Sequence, residues 1–211
     1  LTVAGANASG LNVSFTIDKG MHVQANPASL PNLIATTLTF EENKELDRPR
    51  YQLTVRSVPK IEAISVPHRG DYVEIGRAFD QLFTWLGVRG LIRPKMRLVG
   101  IYYDDPDAVD ASDLRSRACV VVDELPELDS SVEANTIDAG SYAVLRHKGP
   151  YTSMREAYQW MFGEWLVREG TPVADAPVFE EYLNDPRTTP PTELLTDIYL
   201  QLEDVEDGTR V

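Results

Sequence analysis

The stretches Val66-Pro-His-Arg-Gly-Asp-Tyr72 and Leu145-Arg-His-Lys-Gly-Pro-Tyr151 are two copies of one pattern: a histidine, a base, a glycine, any residue and a tyrosine. Downstream of each copy a second pattern repeats, Val99-Gly-Ile-Tyr-Tyr-Asp-Asp-Pro106 and Phe179-Glu-Glu-Tyr-Leu-Asn-Asp-Pro186. Both repeats are offset by about 80 residues, with one residue gained in the second copy between the two motifs. Two independent matches at nearly one spacing mark an internal duplication.

The elements between the motifs repeat as well. After Tyr72, the apolar residues Ile75, Ala78, Phe79, Leu82 and Leu86 form one face of an α-helix, and after Tyr151 the residues Met154, Ala157, Tyr158, Met161 and Trp165 do the same. Asp71 with Glu74, and Ser153 with Glu156, have the spacing of capping boxes. Alternating or β-branched runs at 51–56, 61–66, 98–103 and 118–122 read as strands around the first helix, and 132–137, 142–146, 178–183 and 197–202 take the matching places around the second. Each half is then ββαββ. Short connectors such as Asp138-Ala139-Gly140 read as hairpin turns, which points to antiparallel pairing.

The expected organisation is therefore a duplicated domain over 51–204, with halves of about 51–124 and 131–204, an N-terminal segment over 1–50 and an acidic tail over 205–211. The N-terminal segment reads as β-rich and linker-like. Leu11, Val13, Phe15 and Ile17 alternate with polar residues, 36–40 reads as a further strand, and 26–29 and 41–50 read as turn and linker. The run from Phe15 to Pro27 resembles a piece of the β-rich N-terminal domain of periplasmic thiol-disulfide interchange proteins, but it carries no cysteine and no redox role transfers.

Composition narrows the chemistry. In 211 residues, 33 acidic against 20 basic side chains give a net charge of −13, which repels phosphate backbones and anionic membranes. The bases at Arg89, Arg93, Lys95 and Arg97 follow a helix and read as solubilising or C-terminal charges. A single cysteine, Cys119 in an apolar run, excludes an internal disulfide or a multi-thiolate metal site. His22, His68 and His147 offer no metal-ligand spacing, no run is apolar for the length of a membrane helix, and neither a serine-nucleophile motif nor a phosphate-cradling glycine loop is present. No metal and no cofactor is expected. The cytoplasm is the favoured compartment, with export left open by a first residue, Leu1, that is not methionine.

The second half carries a more specific likeness. Tyr142 to Tyr151, the helix ending at Trp165-Leu166, Phe179-Glu-Glu-Tyr182 and Leu195-Thr-Asp-Ile-Tyr199 resemble, in their order, the GyrI-like effector-binding family. Gly70-Asp-Tyr72, Tyr103-Asp-Asp-Pro106 and Leu114-Arg115 agree in the first half. The resemblance implies an α+β domain with pseudo-twofold symmetry, in which two helices lie on a curved antiparallel sheet and a ligand pocket lies between the halves. It also implies a short list of activities: effector domains of transcription activators, stand-alone drug-binding proteins, a gyrase-inhibiting protein, and hydrolases that open the cyclopropane of genotoxic natural products. Regulator members carry a helix-turn-helix ahead of this domain. Here the preceding segment reads as strands, so this chain is not expected to bind nucleic acid directly.

Glu180 matches the acid that this family places at the base of its pocket. Strand alternation puts Glu180 and Tyr182 on one face and Glu181 on the other. A carboxylate on an apolar floor favours either a cationic ligand or a raised pKa suited to a general base; the bland reading is an acid paired with an arginine. Tyr102 is the copy of Tyr182, so duplication sets the two facing each other. Tyr199 is expected as a third aromatic wall, and Trp160, off the helical stripe, as a groove-lining ring or a contact for the N-terminal segment. The first functional expectation is binding of a hydrophobic, aromatic or cationic small molecule through Glu180, Tyr182, Tyr102, Tyr199 and Trp160. The second is cofactor-independent cyclopropane hydrolysis with Glu180 and Tyr182 as catalytic residues. The third is interaction with a protein partner.

Overall fold

The computed structural model describes residues 2–7, 10–14 and 51–203, and the chain divides into two compact units, Leu1–Arg50 and Tyr51–Val211. In the first unit β1 (Thr2–Asn7) and β2 (Gly10–Ser14) pair antiparallel. The alternation beginning at Leu11 thus coincides with a strand. The expected strand at 36–40, the thiol-disulfide-like run from Phe15 to Pro27, the linker and the acidic tail lie outside the described residues.

In the second unit eight strands form one antiparallel sheet: β3 (Gln52–Val58), β4 (Ile61–Arg69), β5 (Leu98–Tyr102), β6 (Arg115–Val121), β7 (Glu133–Ile137), β8 (Gly140–Lys148), β9 (Val178–Tyr182) and β10 (Leu195–Gln201). Their order across the sheet is β3-β8-β10-β9-β5-β6-β4-β7. The duplication is visible in this order, which reads as a half followed by its mirror-ordered copy. The twofold axis falls between β5 and β9, where Gly100 is paired with its own equivalent, Glu180.

The hairpin reading needs correction. β3 pairs with β8 and β7 pairs with β4, so the first strand of each half completes the sheet of the other. Pro59-Lys60 and Asp138-Ala139 are crossings between sheet edges, not hairpin turns. Six strand intervals separate β3 from β4; at ~4.8 Å each, a flat sheet would hold them ~29 Å apart, whereas three peptide steps reach at most ~11 Å. The sheet must therefore curl until its two edges approach. Inside the curl lies a core that includes Val58, Ile61, Val99, Ile101, Cys119, Ile137, Tyr142, Phe179 and Tyr199. Burial pushes the Cys119 thiol up to about 12, as for an inert packing residue.

Both helices lie on the outer face. α1 (Gly76–Val88) buries Ala78, Leu82, Trp85 and Leu86 against Ile64, Val66, Ala118 and Val120. In the second half α2 (Met154–Trp160) runs through a π-helical turn, Met161–Trp165, into α3 (Leu166–Glu169). The extra residue of the second copy falls here: Leu82 corresponds to Met161 at an offset of 79 and Trp85 to Trp165 at 80. The wider turn absorbs the insertion and keeps both Met161 and Trp165 on the buried face. Among the described residues no helix is long and apolar enough to cross a membrane.

Only the first of the two expected caps takes that role. Asp71 accepts from Val73 N at 3.1 Å, ahead of a 3-10 turn, Tyr72–Glu74, that leads into α1. Ser153 donates instead to Pro150 O at 2.8 Å and lies 3.2 Å from His147 Nε2, because a matching 3-10 turn, Tyr151–Ser153, intervenes before α2. The glycines of the repeated motif, Gly70 and Gly149, have φ of 129° and 142°, a region closed to side-chain-bearing residues, and each donates its N–H 2.9 Å to the equivalent carbonyl of Leu114 or Leu194.

Candidate functional site

β5 and β9 cross the centre of the sheet side by side, and their outer faces present Tyr102, Glu180 and Tyr182 between the two helices. Gly100 opposite Glu180 supplies the room. A Cβ there would stand 2.6 Å from the Tyr182 hydroxyl and 2.9 Å from that of Tyr102, so only glycine lets both rings lie over the axis. The duplication thus contributes one carboxylate where strict symmetry would give two.

Glu180 is 6% exposed. Tyr158 from α2 donates to its Oε1 at 2.7 Å, Tyr182 donates to its Oε2 at 3.1 Å, and the Tyr102 hydroxyl lies 2.6 Å from that of Tyr182. With the Tyr182 proton directed at the carboxylate, Tyr102 is the donor of that last bond. Further rings surround them: Phe79 and Tyr151 stand edge-on to Tyr182 at 5.7 and 5.5 Å, and Tyr72 edge-on to Tyr102 at 4.8 Å. The six rings are three equivalent pairs, Tyr72 with Tyr151, Phe79 with Tyr158 and Tyr102 with Tyr182. Their one chemical asymmetry is the hydroxyl of Tyr158, which is directed at the acid.

Burial pushes the Glu180 carboxyl up to about 7, and the hydroxyl donors Tyr158, Tyr182 and Tyr102 oppose that shift without cancelling it. Burial, with the Glu180 charge nearby, raises Tyr102, Tyr158 and Tyr182 well above the usual phenol range, so they remain donors. Among the described residues no ion pair reaches Glu180. The arginine-paired acid is its neighbour. Glu181 points into the curl, where Arg97 grips it through Nε at 2.6 Å and Nη2 at 3.1 Å and Tyr199 donates to it at 3.2 Å.

The structure therefore brings together Glu180, Tyr182 and Tyr102 and separates two other expected residues from them. Tyr199 pairs in register with Phe179 and stacks on it at 4.3 Å, on the opposite face of the sheet. Trp160 is buried at 6% in the core of the second half, 5.4 Å from Tyr51. Its burial follows from the strand exchange, because β3 and the residue before it extend the surface beneath the helix. Tyr158, Tyr72, Tyr151 and Phe79 were not expected at the site. The tyrosines of the repeated motif carried a signal in their recurrence, whereas Tyr158 and Phe79 occupy helical-stripe positions that read as core. Among the described residues no group of three or more His, Cys, Asp or Glu could hold a metal ion.

With this geometry in view, the comparison with known proteins is specific. Residues 51–203 match the family described as the GyrI-like small molecule binding domain. The chain belongs to that family. A DNA gyrase inhibitor from Erwinia billingiae is 35% identical over 113 residues, which cover 51% of this chain and 69% of that protein. Among solved structures, EcmrR in its complex with DNA superposes with a TM-score of 0.64 at 18% identity, covering 77% of this chain and 61% of that one. The EcmrR C-terminal domain gives 0.59 at 19% identity, over 74% of this chain and 99% of that one. The GyrI-like unit is thus an α+β small-molecule-binding domain with bacterial relatives, sharing its fold with the C-terminal domain of EcmrR.

Proposed function

We propose that the cluster over β5 and β9 binds a lipophilic aromatic cation, with Glu180 as the counter-charge and Tyr102, Tyr182, Tyr158 and Tyr151 as the aromatic surround. The observation that supports this most is a buried carboxylate whose partners are neutral hydroxyls: the apolar setting disfavours its ionised form, and a ligand cation supplies the missing charge. Electron-rich tyrosine faces add a cation–π attraction. A charge-assisted contact contributes about 1.5–3 kcal/mol, so Glu180→Gln is expected to weaken binding of a permanently charged aromatic cation roughly ten- to a hundredfold. Glu181→Gln, on the other face, is expected to leave that affinity unchanged. Calorimetric titration of both variants decides it, and equal affinities for the wild type and Glu180→Gln would overturn the reading.

A second reading rests on the same carboxyl, which at about 7 is poised to accept a proton at neutral pH. In it Glu180 takes a proton from water as the oxygen attacks one carbon of an activated cyclopropane, the ring C–C bond breaks with its electron pair passing to the activating group, which then takes up the proton, and Tyr182 orients the water or the substrate. Mass spectrometry for a water adduct after incubation with such a compound separates the two readings, since the Glu180→Gln variant would lose turnover. The name of the Erwinia relative makes gyrase a candidate protein partner, to be tested by pull-down.

A further inference from the structure

In the first half, where β4 ends and β6 begins, an open cleft of about 510 Å3 is lined by Pro67, His68, Arg69, Tyr103, Arg115, Ser116 and Arg117. Register explains its charge. Arg69 and Arg115 are direct cross-strand partners, and Arg117 lies two residues along the same face opposite Pro67. Like charges set directly opposite each other disfavour a sheet unless acids offset them, and here each arginine has an acid of its own.

The second half keeps one of these pairs, Lys148 with Glu193 standing where the first half has Arg69 with Asp113, and differs at the other positions. The equivalents of Pro67, Arg117, Tyr103 and Arg115 are Arg146, Asp197, Leu183 and Leu195. There Arg146 grips Asp197 across the strands with two bonds of 2.7 Å, so the charges cancel in place. In the first half the cancelling acid has become Arg117, and the arginine that faced it has become Pro67. No acidic side chain lines the cavity. The counter-charges are not among the lining residues: Asp113 holds Arg69 at 2.7 Å, Glu133 holds Arg117 at 2.6 Å, and Asp104 holds Arg115 at 2.7 Å. The Asp113 and Glu133 side chains are 57% and 53% exposed, and ion pairs that exposed are weak and readily exchanged; Asp104, 10% exposed, holds Arg115 more firmly through Nε and Nη2, so Arg115 would meet a ligand through Nη1. A planar guanidinium held on one edge also keeps donors on the other.

We infer that this cavity is a second binding site, independent of Glu180, for a small aromatic oxyanion: a carboxylate or sulfonate gripped by Arg69, Arg115 and Arg117, its ring lying beside Tyr103. The Arg115 guanidinium stands 5.9 Å from the centre of the Tyr103 ring, which forms a cationic and aromatic wall on one side. The volume accommodates one or two fused rings. Inorganic phosphate shares the charge and lacks the ring, and therefore serves as the contrasting probe.

The test is calorimetric titration of the whole chain with 1-naphthoate and, separately, with inorganic phosphate. Tyr103→Leu combined with Arg115→Leu installs the residues that the second half carries at Leu183 and Leu195, and Asp104 keeps its 2.6 Å bond from the Arg115 backbone N–H. This variant is expected to weaken naphthoate binding at least about tenfold while the affinity for an aromatic cation at Glu180 stays constant. Should it fail to melt cooperatively, Arg69→Gln, at an exposed position, makes the same comparison. Unchanged naphthoate affinity in these variants, its loss in Glu180→Gln, or no saturable binding at millimolar naphthoate would each overturn the second site. Phosphate binding as tight as naphthoate would overturn its aromatic character.

Discussion

Glu180 imposes two pH dependences of opposite sign. Its carboxyl has an ordinary value of 4.5 and rises to about 7 in the folded chain. Below pH 4.5 folded and unfolded chains both carry the proton and the site costs nothing. Between 4.5 and 7 the folded chain holds a proton that the unfolded chain has lost, so stability falls as pH rises; above 7 the full cost, about 3 kcal/mol, is in place. Glu180→Gln is accordingly expected to raise the melting temperature clearly at pH 8 and little at pH 4.5, as followed by thermal melts across that range. Affinity for a permanent cation runs the other way. It is expected to drop about tenfold per pH unit below 7, until it meets the level of the Gln variant. A flat profile for both quantities would show that Glu180 titrates as an ordinary carboxylate.

At the scale of elements, the duplication made most of the architecture readable. Helical stripes and strand runs fell where the sequence put them, since alternation and the 3.6-residue period report which face of an element is buried. Neither reports which strand lies alongside, so the exchange of β3 and β7 was hidden behind connectors as short as hairpin turns. The same gap misplaced Tyr199 and Trp160: the first needs the register of β10 against β9, and the second needs β3 under α2. Tyr182 and Tyr102 were readable because two equivalent tyrosines recur at one offset, and Glu180 because it matches the acid of the family's pocket and shares a strand face with Tyr182, although its own equivalent is Gly100. Tyr158 was not, because a tyrosine within an apolar stripe looks like core until its hydroxyl finds a carboxylate. The π turn makes its own test. Gly163 lies within it with nothing within 4 Å of its Cβ position, so deleting Gly163 should return the helix to the spacing of α1. The expected change in stability is within about 1 kcal/mol, the scale of a helix-interior glycine. Loss of the cooperative melt would show that the turn does more than absorb an insertion.

At the scale of the molecule, the unit from Tyr51 onward encloses its own core, and β3 is part of it. A chain beginning at Tyr51 is therefore expected to unfold in one cooperative transition, followed by circular dichroism. One beginning at Ile61, without β3, is expected to lose that transition, because β8 is left with an open edge and the core loses Val58. If the Tyr51 chain does not fold, residues 1–50 complete the domain. The exchanged strands also bear on how the protein is made. Leu53 pairs with Leu145, and Ile64 with Ala134, so the first half cannot close its sheet while only its own residues have left the ribosome. At synthesis rates of about 5–20 residues per second, β3 waits roughly 5–20 s for its partner strand, with both of its edges unpaired. Such long-range pairing places the domain among slow folders, and it makes the nascent chain, rather than the finished one, the form most exposed to aggregation and most in need of a chaperone.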